Sequence, residues 1–127
     1  MTRTVITTDN APALVAPLSQ GARKGPILQV SGQLPLAPDT GEIVGTTVAE
    51  QTTQALRNVS AVLKAADADL EDVVMLRVYL TDPAHLAEMN EAYTAAVGKP
   101  FPARTTVYMQ LPPGVLVEVD ALAALDD

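Results

Sequence analysis

A chain of 127 residues, 48% hydrophobic and 18% charged, has the composition of one self-sufficient domain spanning residues 1–127. Its formal charge of −7 argues against a nucleic-acid partner, and the lack of cysteine excludes disulfides, thiolate nucleophiles and zinc–thiolate sites. With one histidine there is no multi-histidine metal centre in the chain, no apolar run reaches membrane length, and Met1-Thr2-Arg3-Thr4-Val5 lacks the apolar core of a signal peptide, so a soluble cytoplasmic protein without metal or membrane partner is expected.

Residues 1–7 have some strand character, and residues 14–20 are a second short candidate strand. Pro12 and Pro17 forbid a helix there. Residues 21–25 (Gly-Ala-Arg-Lys-Gly) read as a turn with Arg23 and Lys24 at an exposed tip. Residues 27–34 form the next strand, interrupted by Ser31-Gly32-Gln33. A glycine inside a strand marks either a bulge or backbone presented to a ligand, and both readings stand here.

Residues 35–45 are a loop. Thr47-Val48-Ala49-Glu50 then has the form of a capping box and starts a helix over residues 48–66. Val48, Ala55, Leu56, Val59, Val62, Leu63 and Ala66 make its apolar stripe; Glu50, Gln51, Gln54, Arg57, Asn58 and Lys64 are expected on a solvated face. Residues 67–72 are an acidic turn joining helix to strand, with Leu70 turned to the core. Residues 73–81 alternate as a strand. Asp82-Pro83 opens a second helix, whose buried side is Leu86, Met89, Tyr93 and Val97 and whose stop is Gly98. His85 falls in its first turn, where exposure is the rule, and is set aside as a catalytic group.

After Pro102-Ala103-Arg104 comes a strand over residues 105–111, the turn Pro112-Pro113-Gly114, and a strand over residues 115–123. Paired as a hairpin, these strands would put Tyr108 opposite Glu118, Thr106 opposite Asp120 and Arg104 opposite Leu122. One face would then be apolar. The other would carry Arg104, Thr106, Tyr108 and Gln110 beside Glu118 and Asp120. Such a face is a solvated surface or a small-molecule site: the arginine fork fits a carboxylate bidentately, and the glutamate can orient or activate water. The element order gives an α+β fold with two helices on one sheet face. The other face, with Ile27, Met75 and Leu122, is expected to meet water or further copies of the chain.

The ordered motifs Asn10-Ala11-Pro12, Ser31-Gly32-Gln33-Leu34-Pro35, Thr40-Gly41-Glu42-Ile43-Val44, Glu50-Gln51-Thr52, Tyr79-Leu80-Thr81-Asp82, Asn90-Glu91-Ala92-Tyr93, Pro102-Ala103-Arg104-Thr105 and Leu116-Val117-Glu118-Val119 run through nearly the whole chain. Together they resemble the RidA/YjgF family of enamine/imine deaminases. The resemblance implies a chorismate-mutase-like fold with a mixed sheet, a homotrimer with clefts between subunits, and hydrolysis of 2-aminoacrylate-type intermediates to 2-keto acids and ammonia without cofactor. It implies that Arg104 holds the substrate carboxylate and Glu118 positions the water. Ser31, Gly32, Asn90, Ala103, Thr106 and Leu18 would line the substrate site. Leu18 stands where the family pattern Gly-Pro-Tyr-Ser-Gln has tyrosine, so a hydrogen-bonding and stacking wall is missing. A non-catalytic module that binds small carboxylates is the alternative reading, and an endoribonuclease a third.

Overall fold

The computed structural model describes residues 2–126. One mixed sheet holds β1 (Thr4–Ile6), β2 (Gly21–Lys24), β3 (Ile27–Gln33), β4 (Val73–Leu80), β5 (Ala103–Tyr108) and β6 (Val117–Ala124). The strand order is β1-β2-β3-β6-β4-β5. Only β4 and β5 run parallel, as a crossover through a helix requires. The helices α1 (Val48–Ala65) and α2 (Leu86–Val97) share one core with Leu28, Val30, Leu76, Val78, Leu80, Val117, Val119, Ala121 and Ala123. The α+β class with two helices over one sheet face is therefore what the chain adopts. Ile27, Met75 and Leu122 lie on the opposite, open face: Leu122 pairs with Met75 and with Gln29, two residues along from Ile27.

The terminal hairpin does not form. β6 inserts between β3 and β4, and β5 pairs instead with β4 at the sheet edge. The reason lies in what each strand can bury. Val117, Val119, Ala121 and Ala123 are all fully buried, so β6 gains most in the middle of the sheet, with both backbone edges paired. β5 carries Arg104, Thr105, Thr106 and Tyr108, which an edge strand tolerates. Residues 109–116 carry the chain past β4.

The N-terminal segment also differs from expectation. Residues 21–24 are a strand rather than a turn, and the turn is at Gly25, whose φ is +59°. Residues 14–20 are irregular. They are held by Gln20, which is buried: its Nε2 donates to the carbonyls of Thr8, Ala11 and Pro12, and its Oε1 accepts from the Thr8 N–H. Of the strand expected over residues 1–7, Thr4–Ile6 is present, and Met1 lies outside the described residues.

Helix α1 begins with the expected capping box. The Glu50 carboxyl is held below its usual range by the Thr47 hydroxyl and by backbone N–H groups. Its apolar stripe is buried throughout, and Glu50, Arg57 and Lys64 are exposed as expected, but the rest of its polar side is not solvated. Gln51, Gln54 and Asn58 are buried. The loops on either side of α1 bring unpaired backbone groups against it, and these carboxamides meet them. Asn58 Nδ2 donates to the carbonyls of Leu34 and Leu36. Gln51 donates to Gly45 and Gly114 and accepts from the Leu116 N–H. Asn58→Ala removes one donor from each of two part-buried carbonyls, which keep the Leu36 N–H and Gln54 Nε2 as partners, and takes the Asn58 Oδ1 acceptor from Gln54, a loss of about 1 kcal/mol per hydrogen bond. A thermal melt is expected to show a drop of several degrees, and an unchanged midpoint would mean that the remaining partners suffice.

Candidate active site

Among the described residues Arg104 and Glu118 make no ion pair and no side-chain hydrogen bond, and they lie on opposite faces of the sheet. Arg104 pairs across β4 with Leu76, a buried residue of the helix-bearing face, so its side chain rises on the helix side at the sheet edge. There its guanidinium carbon lies 4.9 Å from the centre of the Tyr93 ring. Asn90, Tyr93 and Thr94 of α2, with Phe101 and Pro102, complete an open and mostly apolar cleft around it. Among the described residues Arg104 makes no ion pair; the one present joins Arg77 to Asp120.

Glu118 pairs with Tyr79 on the open face. It packs against Gly32, where an added Cβ would collide with its carboxylate. The glycine sits in a bulge, since the β3–β6 register shifts between Val30 and Gln33. Of the two readings of Gly32, the structure supports a bulge that also lets a carboxylate come close. Ser31 ties the segment at residues 18–20 to this bulge: its Oγ donates to Ser19 O at 2.6 Å, and its N–H to Gln20 O at 2.9 Å. Leu18, half exposed, is thus near the Glu118 side of the molecule.

Asp120, the next carboxylate along β6, is fully engaged. Arg77 Nε donates to it at 2.9 Å and the Tyr79 hydroxyl at 2.6 Å. Burial, then this hydrogen bond, raises the Tyr79 phenol above its ordinary range. Glu118 accepts no hydrogen bond among the described residues. Burial, with the Asp120 charge second, pushes its carboxyl above the usual glutamate range. A carboxylate that is desolvated and uncommitted has the properties of a general base.

The expected single-face arrangement of Arg104 with Glu118 is therefore overturned. β4 stands between the two strands, and the alternation of β5 sends Arg104, Thr106 and Tyr108 to the helix side and Glu118 and Asp120 to the other. The structure brings Arg104 and Asn90 together, with Thr106 further along the same face. It brings Glu118, Gly32 and Ser31 together, with the Leu18 segment beside them. Ala103, exposed, pairs with Met75 and faces away from the Arg104 cleft. The sequence reading missed Tyr93 and Phe101 as cleft walls, having taken Tyr93 for core. The available signal was spacing: Tyr93 follows Asn90 by three residues, which puts both on one side of α2.

A family model described as Endoribonuclease L-PSP matches residues 8–125. A RutC family protein of Pyrococcus horikoshii is 44% identical over 120 residues, 94% of this chain and 95% of the relative. A 2-iminobutanoate/2-iminopropanoate deaminase of Bos taurus is 37% identical over 124 residues, 97% of this chain and 90% of that protein. Among solved structures, E. coli TdcF with bound serine superposes with a TM-score of 0.90 at 33% identity, covering 97% of this chain and 99% of that one. The chain belongs to this family, the RidA/YjgF family that the sequence motifs resemble.

Gly32→Ala tests the Glu118 seat. The added methyl group has to displace the carboxylate, and a structure of the variant is expected to show the side chain rotated away. An unmoved carboxylate would contradict the close approach described here.

Proposed function

We propose that the protein hydrolyses small enamine and imine carboxylates of the 2-aminoacrylate type to 2-keto acids and ammonia, in a site completed by a second copy of the chain. The reading rests on one observation: a cation and a carboxylate, neither in an ion pair among the described residues, lie on opposite faces of one sheet. No small molecule reaches both within one chain, because they are two strands and the sheet thickness apart. A neighbouring copy laid on the open face would bring its Arg104 cleft toward Glu118. That face needs such cover, with Ile27 and Val74 about half exposed and Val107 more than a third. A homotrimer with inter-subunit clefts is the assembly we propose. The deaminase relative and the serine-bound neighbour support a small carboxylate as ligand.

In this mechanism Arg104 grips the carboxylate bidentately, and Asn90 borders the same cleft. The enamine tautomerises to the imine. Glu118 of the adjoining copy takes a proton from water as the oxygen attacks the imine carbon. The imine nitrogen takes up the proton that Glu118 removed, which gives the tetrahedral carbinolamine; the hydroxyl proton then passes to that nitrogen as the C=O bond forms and the C–N bond breaks to release ammonia. The water oxygen ends in the keto acid, and no oxidant or cofactor enters the balance. The substrate is intrinsically reactive, so positioning alone gives useful acceleration.

RNA is a poor fit to the same cleft. Its walls include one cation rather than a basic track, and the net charge is −7. The reading is tested by generating 2-aminoacrylate in situ and following its decay with and without the protein. Arg104→Ala is expected to abolish the acceleration with the assembly intact, and full activity in that variant would refute the assignment. Keto-acid binding without turnover in the parent would point to the non-catalytic module, with Leu18 as its sequence mark. The acidic limb of the pH profile reports Glu118. Activity needs the ionised form, whose carboxyl is held above the usual range, so turnover rises with pH through that raised value. Glu118→Gln is expected to remove this limb and to lower kcat more than it raises KM.

A further inference from the structure

Among the described residues no carboxylate pairs with Arg104, yet its guanidinium has a fixed neighbour. The ring of Tyr93 faces it at 4.9 Å. That ring has little freedom of its own. Tyr93 is 4% exposed, packs in the core from α2, and meets the Phe101 ring at 6.3 Å between centroids with a 42° tilt. Its hydroxyl is buried and has no hydrogen-bond partner, so the contact with Arg104 is made by the ring face alone.

The choice of an aromatic neighbour has a chemical consequence. A carboxylate beside Arg104 would occupy two of its N–H groups and cancel the charge that an incoming anion needs. An aromatic face attracts the cation without consuming a donor. It also restrains a long side chain whose ordering would otherwise cost affinity when ligand binds.

We infer that Tyr93 is a positioning residue, which fixes the Arg104 guanidinium over the cleft while leaving its donor fork open to a substrate carboxylate. The inference rests on the role proposed for Arg104 and adds the group that sets its geometry. The ring carries the effect and the hydroxyl does not.

The test is a pair of variants, read by steady-state kinetics on 2-aminoacrylate generated in situ and by calorimetric titration of pyruvate. Tyr93→Leu is expected to raise KM and weaken pyruvate binding about tenfold, with kcat within about twofold. Tyr93→Phe keeps the ring and is expected to stay within about twofold of the parent in every parameter. Should the leucine variant fail to fold, Tyr93→Met replaces it, since its flexible side chain fills a core gap without an aromatic face. An unchanged KM in the variant without the ring would overturn the inference, and so would an equal loss in Tyr93→Phe. Arg104→Ala separates the two levels. If it leaves pyruvate binding intact, the proposed role of Arg104 fails. If it abolishes binding while the ring-deleted variant binds normally, only the inference about Tyr93 fails.

Discussion

The strict alternation of side chains along a strand, applied across β4, governs what this molecule can do. Arg104 shares a face with Leu76, and Glu118 shares the other with Tyr79. No rotamer change carries either side chain through the sheet. A single chain therefore presents a cationic surface and an anionic one on separate faces, and in the proposed function a second copy of the chain brings them together. The anionic surface is kept available because Arg77 and Tyr79 are spent on Asp120 rather than on Glu118. The cationic surface is kept available because an aromatic ring, not a carboxylate, faces Arg104.

Buried carboxamides hold these surfaces in place. Gln51 on α1 binds the Gly114 carbonyl and the Leu116 N–H, which anchors the chain just before β6 and so before Glu118. Gln20 gathers residues 8–12 and delivers residues 18–20 to the bulge at Ser31. Glu88 of α2 accepts from the Ala49 N–H at the start of α1, which couples the helix that carries Asn90 and Tyr93 to the rest of the core. The two glutamines each sit where a loop would otherwise bury an unpaired backbone group, whereas the Glu88 contact is exposed.

Much of this was legible in the residues. The capping box at Thr47, the apolar stripe of α1 and the two-helix α+β class follow from local patterns, and the structure has them all; at Gly32 the residues left a bulge and a ligand-facing backbone equally open, and the structure has the bulge. What failed was strand pairing. Residues 105–111 and 115–123 look like neighbours because they are adjacent in sequence. Pairing is decided by which strand buries most, and the short apolar side chains of β6 win the centre of the sheet. The polar side of α1 misled for a similar reason. A glutamine reads the same whether it faces water or a buried carbonyl, and the loops that demand it are distant in sequence. For the site, the motifs picked out Arg104, Asn90, Gly32, Ser31 and Glu118, but the face each occupies depended on the β4 register. Tyr93 was hidden by its own burial, which made it look like core alone.

The central claim is that one catalytic site takes its cation from one copy and its carboxylate from another. The direct measurement is complementation between two inactive variants. Arg104→Ala and Glu118→Gln chains are purified separately, unfolded together in equal amounts, refolded, and assayed for 2-aminoacrylate hydrolysis. The account predicts recovery to about a quarter of the parental rate, the share of head-to-tail interfaces that join an intact Arg104 to an intact Glu118. A mixture that assembles into hybrid oligomers yet stays as inactive as its components would contradict it.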